Sequence, residues 1–217
     1  MPRHPANEHL QRFRLSRAMA VLMLLGNGTG AAAMTAVLGY WLWLHLRPLA
    51  IAPAAEVLPG LLLTGLPFVL IFGAIIGYFL TALLETARSA RDPRFDSWEI
   101  RVDDEGVSLA EHPEADPVRR IPWREVQDVW SGHEFLLRRN QRLWDGRRVP
   151  TAVFLRTGPL QPRSRLARAI LSRRAGNSAC EILDGPDFTA FSIAYCKGGS
   201  RAPYRLMRSL HAKAHHR

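Results

Sequence analysis

Apolar and polar positions divide this chain into two regimes. From Ala18 to Leu46, and again from Val57 to Leu84, no Asp, Glu, Lys or Arg interrupts the apolar run. Each run exceeds the roughly 20 residues that a helix needs to cross about 30 Å of hydrocarbon. Two membrane-spanning helices are therefore expected, over 18–46 and 57–84, with Pro67 kinking the second. A cleaved signal peptide is the competing reading of the first run, because Arg12, Arg14 and Arg17 precede it and Ala31-Ala32-Ala33 resembles a cleavage site. The run continues through Tyr40, Trp41 and Leu46, well past a signal's apolar segment, which favours an uncleaved anchor.

From Phe95 the period shortens to two. Trp98, Ile100 and Val102 alternate with Glu99 and Arg101, as in a half-buried strand. Asp103-Asp104-Glu105-Gly106 reads as a turn whose glycine takes a positive φ, and Val107 and Leu109 resume the alternation to complete a hairpin. Beyond an acidic loop, Val118 and Ile121 begin another strand, and Trp123, Val126 and Val129 share one side of the next short segment. Further strands are expected over Glu134–Arg139, Val149–Arg156 and Ala179–Leu183. Met207, Leu210 and Ala214 recur at helical spacing after Pro203, which suits a helix's first turn. Short strands closed by one terminal helix predict an α+β domain on a curled sheet over 95–217.

Charge orients this arrangement. Residues 85–217 hold 24 of the 29 basic and 17 of the 19 acidic residues. Arg3, Arg12, Arg14 and Arg17 precede the first apolar run, and Arg88, Arg91 and Arg94 come after the second. The segment between the runs, 47–56, carries one residue of each sign. The positive-inside rule then makes 1–17 a basic cytoplasmic tail, 47–56 a short external loop and the 95–217 domain cytoplasmic. Tyr40, Trp41 and Trp43 suit the outer interface. Gly26 and Gly30, and Gly73 and Gly77, place small residues at spacing four, which lets helices approach closely within the hairpin or between copies in a homo-oligomer. The run Gly26-Asn27-Gly28-Thr29-Gly30 has the look of a phosphate loop, but neither a preceding strand nor a nearby lysine accompanies it.

The stretch Trp98 to Trp130, with its hairpin, its Asp-Glu-Gly turn and its Ile-Pro-Trp-x-x-Val-x-x-Val segment, resembles bacterial PH-like domains. With two apolar helices before it, the whole chain is similar to small bacterial membrane proteins of the YcxB-like group. That resemblance implies a seven-stranded barrel closed by the C-terminal helix, a multi-pass protein of the bacterial inner membrane, and no known enzymatic activity or cofactor. Pro159–Asn177, an arginine-rich insertion, departs from the simple pattern, and Cys180–Arg201 fits it poorly.

The charges within the domain are unevenly divided. Asp96 to Glu134 contains 11 acidic and 4 basic residues, whereas Arg138 to Arg174 contains 11 arginines and the single acid Asp145. There Leu166, Ala167, Ile170 and Leu171 share a helical face, flanked by Arg163, Arg165, Arg168, Arg173 and Arg174, with Ser164 and Gly176 as caps. Such a helix is a solvated surface helix, one that contacts an anionic membrane surface, or one that meets a protein partner. Nucleic acid is not expected, since no aromatic-interleaved motif accompanies the arginines. His211, His215 and His216 lack carboxylate or thiol company, no Ser/His/Asp set stands in a nucleophile context, and Cys180 and Cys196 match no zinc spacing. No catalytic residue, metal or cofactor is expected. Two functions are compatible with this pattern: a membrane-anchored binding or scaffold module presenting a basic surface to a membrane protein or anionic lipid, or a membrane enzyme acting on a lipid or envelope substrate.

Overall fold

Alternation in the polar half of the chain produces two antiparallel sheets, and the charge-free runs produce two long helices. The computed structural model describes residues 10–47, 59, 61–138 and 149–216. It divides into two units, one of Val21–Ala87 and one uniting the residues up to Ala20 with those from Arg88 onward.

In the first unit lie most of α1 (Arg17–Leu46) and α2 (Leu66–Ala90), both long and apolar enough to cross a membrane. Their facing surfaces are aromatic and small. Trp41 stacks on Phe68 at 4.4 Å between ring centroids, and a Cβ on Gly30 would lie 2.6 Å from the Phe79 ring. A glycine is what lets that ring sit against the backbone. Gly26, Gly73 and Gly77 have nothing within 4 Å of their Cβ positions. Pro67 has no N–H to donate to Leu63, and the backbone widens into a π turn over Leu61–Gly65 just before it. The expected external loop lies outside the described residues beyond Arg47.

The second unit carries both sheets. One has the order β1 (Gln11–Arg14), β2 (Glu99–Val102), β3 (Gly106–Ala110), β4 (Arg119–Pro122). The other has the order β5 (Asp128–Ser131), β6 (Ala152–Arg156), β8 (Phe188–Ser192), β7 (Ile182–Asp184). A 3-10 turn, Trp123–Glu125, joins them, and α3 (Gly132–Leu137), α4 (Arg165–Asn177) and α5 (Arg201–His215) complete the unit. Trp98, Ile100, Val107, Leu109, Ile121 and Trp123 are buried on the first sheet and its exit. Behind the second sheet, Phe135 of α3 stacks on Phe154 of β6 at 4.0 Å, within a cluster that also holds Trp130, Ala175 and Phe188. The sheets are not closed into the barrel that the resemblance implied.

Several expectations change. Part of the basic tail is a strand: β1 pairs with β2, Gln11 opposite Val102 and Arg14 opposite Glu99. The strand expected over Glu134–Arg139 is replaced, as far as Arg138 where the described residues end, by α3, because Ser131 and Glu134 form a capping box that starts a helix. Strand β8 stands where none was expected, and β7 begins three residues late, at Ile182. Gly106 does not have positive φ; only Gly198 and Gly199 do among the described glycines. Its glycine serves close approach, since a Cβ there would meet the Ile121 carbonyl oxygen at 2.3 Å. Gly106→Ala is expected to force β3 and β4 apart and cost about 1–3 kcal/mol. Denaturant unfolding of the globular unit checks this, and a silent substitution would contradict the close contact.

Candidate functional site

The arginine-rich segment is a helix, and local chemistry explains its start. Ser164 is its N-cap, with the side-chain oxygen accepting from the Ala167 N–H at 3.1 Å. Gly176 lies inside α4 rather than ending it, and its lack of a side chain serves close packing, since a Cβ there would stand 2.8 Å from the Thr151 hydroxyl. The inner face is held by buried Ala175, by Leu171 against the aromatic cluster, and by the Ser172 hydroxyl donating to the Gly132 carbonyl at 2.8 Å. The outer face leaves Leu166 71% and Ile170 58% exposed, one turn apart. Two exposed branched residues on a helix this polar are not explained by packing within the unit.

Its five candidate arginines have different fates. Arg163 precedes the helix and is committed inward: its Nη1 and Nη2 donate to the buried Asp187 carboxylate at 2.6 Å each, and its plane lies over the Phe188 ring. Arg174 pairs with Glu181 on the surface. Arg165 is exposed. Partial burial and the nearby positive charges of Arg138 and Arg165 pull the Arg168 guanidinium below its usual range. Arg138, Arg165 and Arg168 thus form a corner of like charge. Arg173 is half-buried.

The far end of α4 is fastened to Ser89 within the globular unit. The Ser89 hydroxyl donates to the Asn177 carbonyl at 3.0 Å, and Ser89 stands on α2 only five residues past Leu84, where the charge-free run ends.

A second group was not anticipated from sequence. Glu99, on the outer face of the first sheet, is fully buried. Arg101 Nε donates to its Oε2 at 3.1 Å, while Nε of Arg14 and of Arg12 stand 3.7 and 4.0 Å from Oε1. The clue in the sequence was the Arg-x-Arg of 12–14, but only the β1–β2 register carries it to Glu99.

Other titratable groups are structural. Glu134 accepts from the Ser131 N–H at 2.7 Å and from the Tyr204 hydroxyl, tying α3 to α5. His211 Nε2 donates to the Val126 carbonyl at 2.9 Å in the tautomer protonated there, and burial pulls its pKa down. Burial pushes the thiols of Cys180 and Cys196 up to about 12. Among the described residues, no three His, Cys, Asp or Glu side chains group closely enough to hold a metal ion. Comparison with known proteins returns no match for this chain, whether among family models, curated proteins or solved structures.

Proposed function

We propose that this chain is a membrane-anchored PH-like binding module of the bacterial inner membrane, with both termini cytoplasmic, that lays α4 on the anionic inner leaflet. The observation that carries this reading is the outer face of α4, where Leu166 and Ile170 stand exposed beside Arg165 and the crowded Arg138–Arg168 corner. Apolar side chains of this kind enter the headgroup boundary, and each arginine near an anionic surface gains about 1 kcal/mol. The shared sheet of β1 and β2 supports the topology, because the residues before α1 and after α2 then lie on one side of any membrane those helices cross. Seven strands from β2 to β8 and a terminal helix touching β2 and β5 support the PH-like reading, with β1 and α4 as additions.

An environment-sensitive dye on Ala169→Cys, with the full chain in nanodiscs, tests the contact. Cys180 and Cys196 stay unlabelled because they are buried and protonated. The emission is expected to shift to the blue with phosphatidylglycerol, return with salt, and stay unshifted in the R165Q/R168Q variant. An emission indifferent to lipid charge and salt would leave α4 to solvent or to a membrane protein.

A further inference from the structure

A carboxylate removed from water needs charge and hydrogen bonds in place of its hydration. Arg101 supplies both to Glu99, and its guanidinium is itself held by the carbonyls of His112 at 3.0 Å and Ala115 at 3.3 Å. One arginine is enough to neutralise one glutamate. Yet Arg12 and Arg14 also turn Nε toward Glu99, and Lys197 lines the same cavity. Arg12 also stands directly across the ladder from Arg101, a like-charge placement that costs stability. Among the described residues, no second carboxylate makes an ion pair with Arg12, Arg14 or Lys197. Oε1 of Glu99, although buried, accepts no hydrogen bond.

These groups sit on fixed backbone. Arg12 and Arg14 are two apart on β1 and so share its outer face. The Lys197 N–H donates to the Arg14 carbonyl at 2.8 Å, and Leu15 bridges to Cys196. Between them opens a cavity of about 360 Å³ lined by Arg12, Phe13, Arg14, Glu99 and Lys197.

We infer that this cavity binds a phosphomonoester. Both guanidinium groups turn their Nε edges toward Glu99 Oε1 at 3.7 and 4.0 Å, in ion-pair range but beyond hydrogen bonding, which leaves their Nη edges and the Lys197 ammonium for phosphate oxygens. Guanidinium forks match phosphate in geometry, and three cations beyond the Glu99–Arg101 pair favour a dianion over the single charge of a diester. The unfilled Oε1 accepts a hydrogen bond from a hydroxyl beside the phosphate. Two sources present this chemistry: a soluble phosphorylated metabolite, or a lipid with a terminal phosphate, since Arg14 lies three residues before the first residue of α1. The site uses no residue of α4 and does not rest on that helix touching the membrane.

Phosphorus NMR of the full chain tests it, with glycerol 3-phosphate in nonionic micelles and with phosphatidate in phosphatidylcholine nanodiscs. Binding is expected to weaken about tenfold for each arginine removed in R12Q and R14Q, and to stay unchanged in R124Q, an exposed arginine elsewhere on the unit. Binding of both probes assigns a soluble phosphomonoester, and binding of phosphatidate alone assigns a lipid headgroup. Binding of neither, or equal binding by the R12Q/R14Q double variant, overturns the site. If that variant fails to fold, K197Q carries the same test. The micelle measurement contains no bilayer, so failure of the α4 contact leaves its result intact.

Discussion

Trp123→Ala is expected to destabilise the globular unit by about 3–5 kcal/mol, the cost of emptying a large buried aromatic site. Trp123 is 2% exposed. Its indole Nε1 donates to the Asp103 carbonyl at 2.8 Å in the β2–β3 turn, and its backbone N–H donates to the Glu105 carbonyl at 2.9 Å. On the other side its ring meets His211 of α5 edge-on, at 6.0 Å between centroids. Removing it therefore opens a cavity between the first hairpin and the terminal helix and leaves the Asp103 carbonyl without the indole donor. Glu125, exposed two residues on, should change stability by less than about 0.5 kcal/mol when made Ala. Denaturant unfolding of the full chain in nonionic micelles, followed by near-ultraviolet circular dichroism, compares the two. Equal tolerance would mean that Trp123 does not close this core.

Asp187→Ala should be nearly as damaging, at about 3–5 kcal/mol, because it strands the Arg163 guanidinium in a partly buried slot. Asp187 also accepts from the Gln161 N–H at 2.9 Å, so one carboxylate organises the chain leading into α4. Burial on its own raises the Asp187 carboxyl, but the Arg163 fork and the Gln161 N–H outweigh it and hold the group below the usual carboxylate range. The sign comes from that lowering. The contribution is fully present above the unfolded value of about 3.9 and is lost as pH falls through the lower folded value. Acid unfolding of wild type against Asp187→Asn reads this directly: wild type should lose its advantage below about pH 4, and the variant should show a flatter profile. The Arg174–Glu181 pair is the control, since an exposed ion pair contributes about 0–1 kcal/mol. If Arg163→Ala proves as mild as Arg174→Ala, the inward clamp is not what orders this segment.

What was readable along the chain is what neighbours in sequence determine. Charge-free runs mark helices long enough to leave water, and this placed α1 within one residue at both ends, whereas α2 runs Leu66–Ala90 rather than over 57–84, beginning after the π turn and continuing past the first charges. Alternation exposed β2 and β3 because one face of that hairpin is core and the other polar. Strand β8 escaped the same test. Both β3 and β8 are buried at every position, but β3 alternates Val107 and Leu109 with small residues, whereas in Phe188–Ser192 the two phenylalanines stand three apart and fall on opposite faces, so no period of two shows. Over Glu134–Arg139 the strand reading lost to a capping box, a local signal that outweighed a short apolar run.

Both candidate sites divide along the same line. The periodicity, cap and arginine content of α4 belong to one continuous segment, so the helix was legible in the sequence. Which of its arginines remain outward was not, because that depends on Asp187 and Glu181, which approach only when β7 and β8 fold back. For Arg12, Arg14 and Lys197 the chain offered only a basic tail and an isolated lysine. Bringing them to Glu99 takes a ladder that closes across the whole apolar pair, with Arg14 opposite Glu99 and Lys197 bonded to the Arg14 carbonyl. Hydrophobic period and charge count report each residue's own preference for water, and they determined the two long helices, the first hairpin and the basic helix. Partnership between charges distant in the chain depends on strand register and loop closure, and only the tertiary structure decided it.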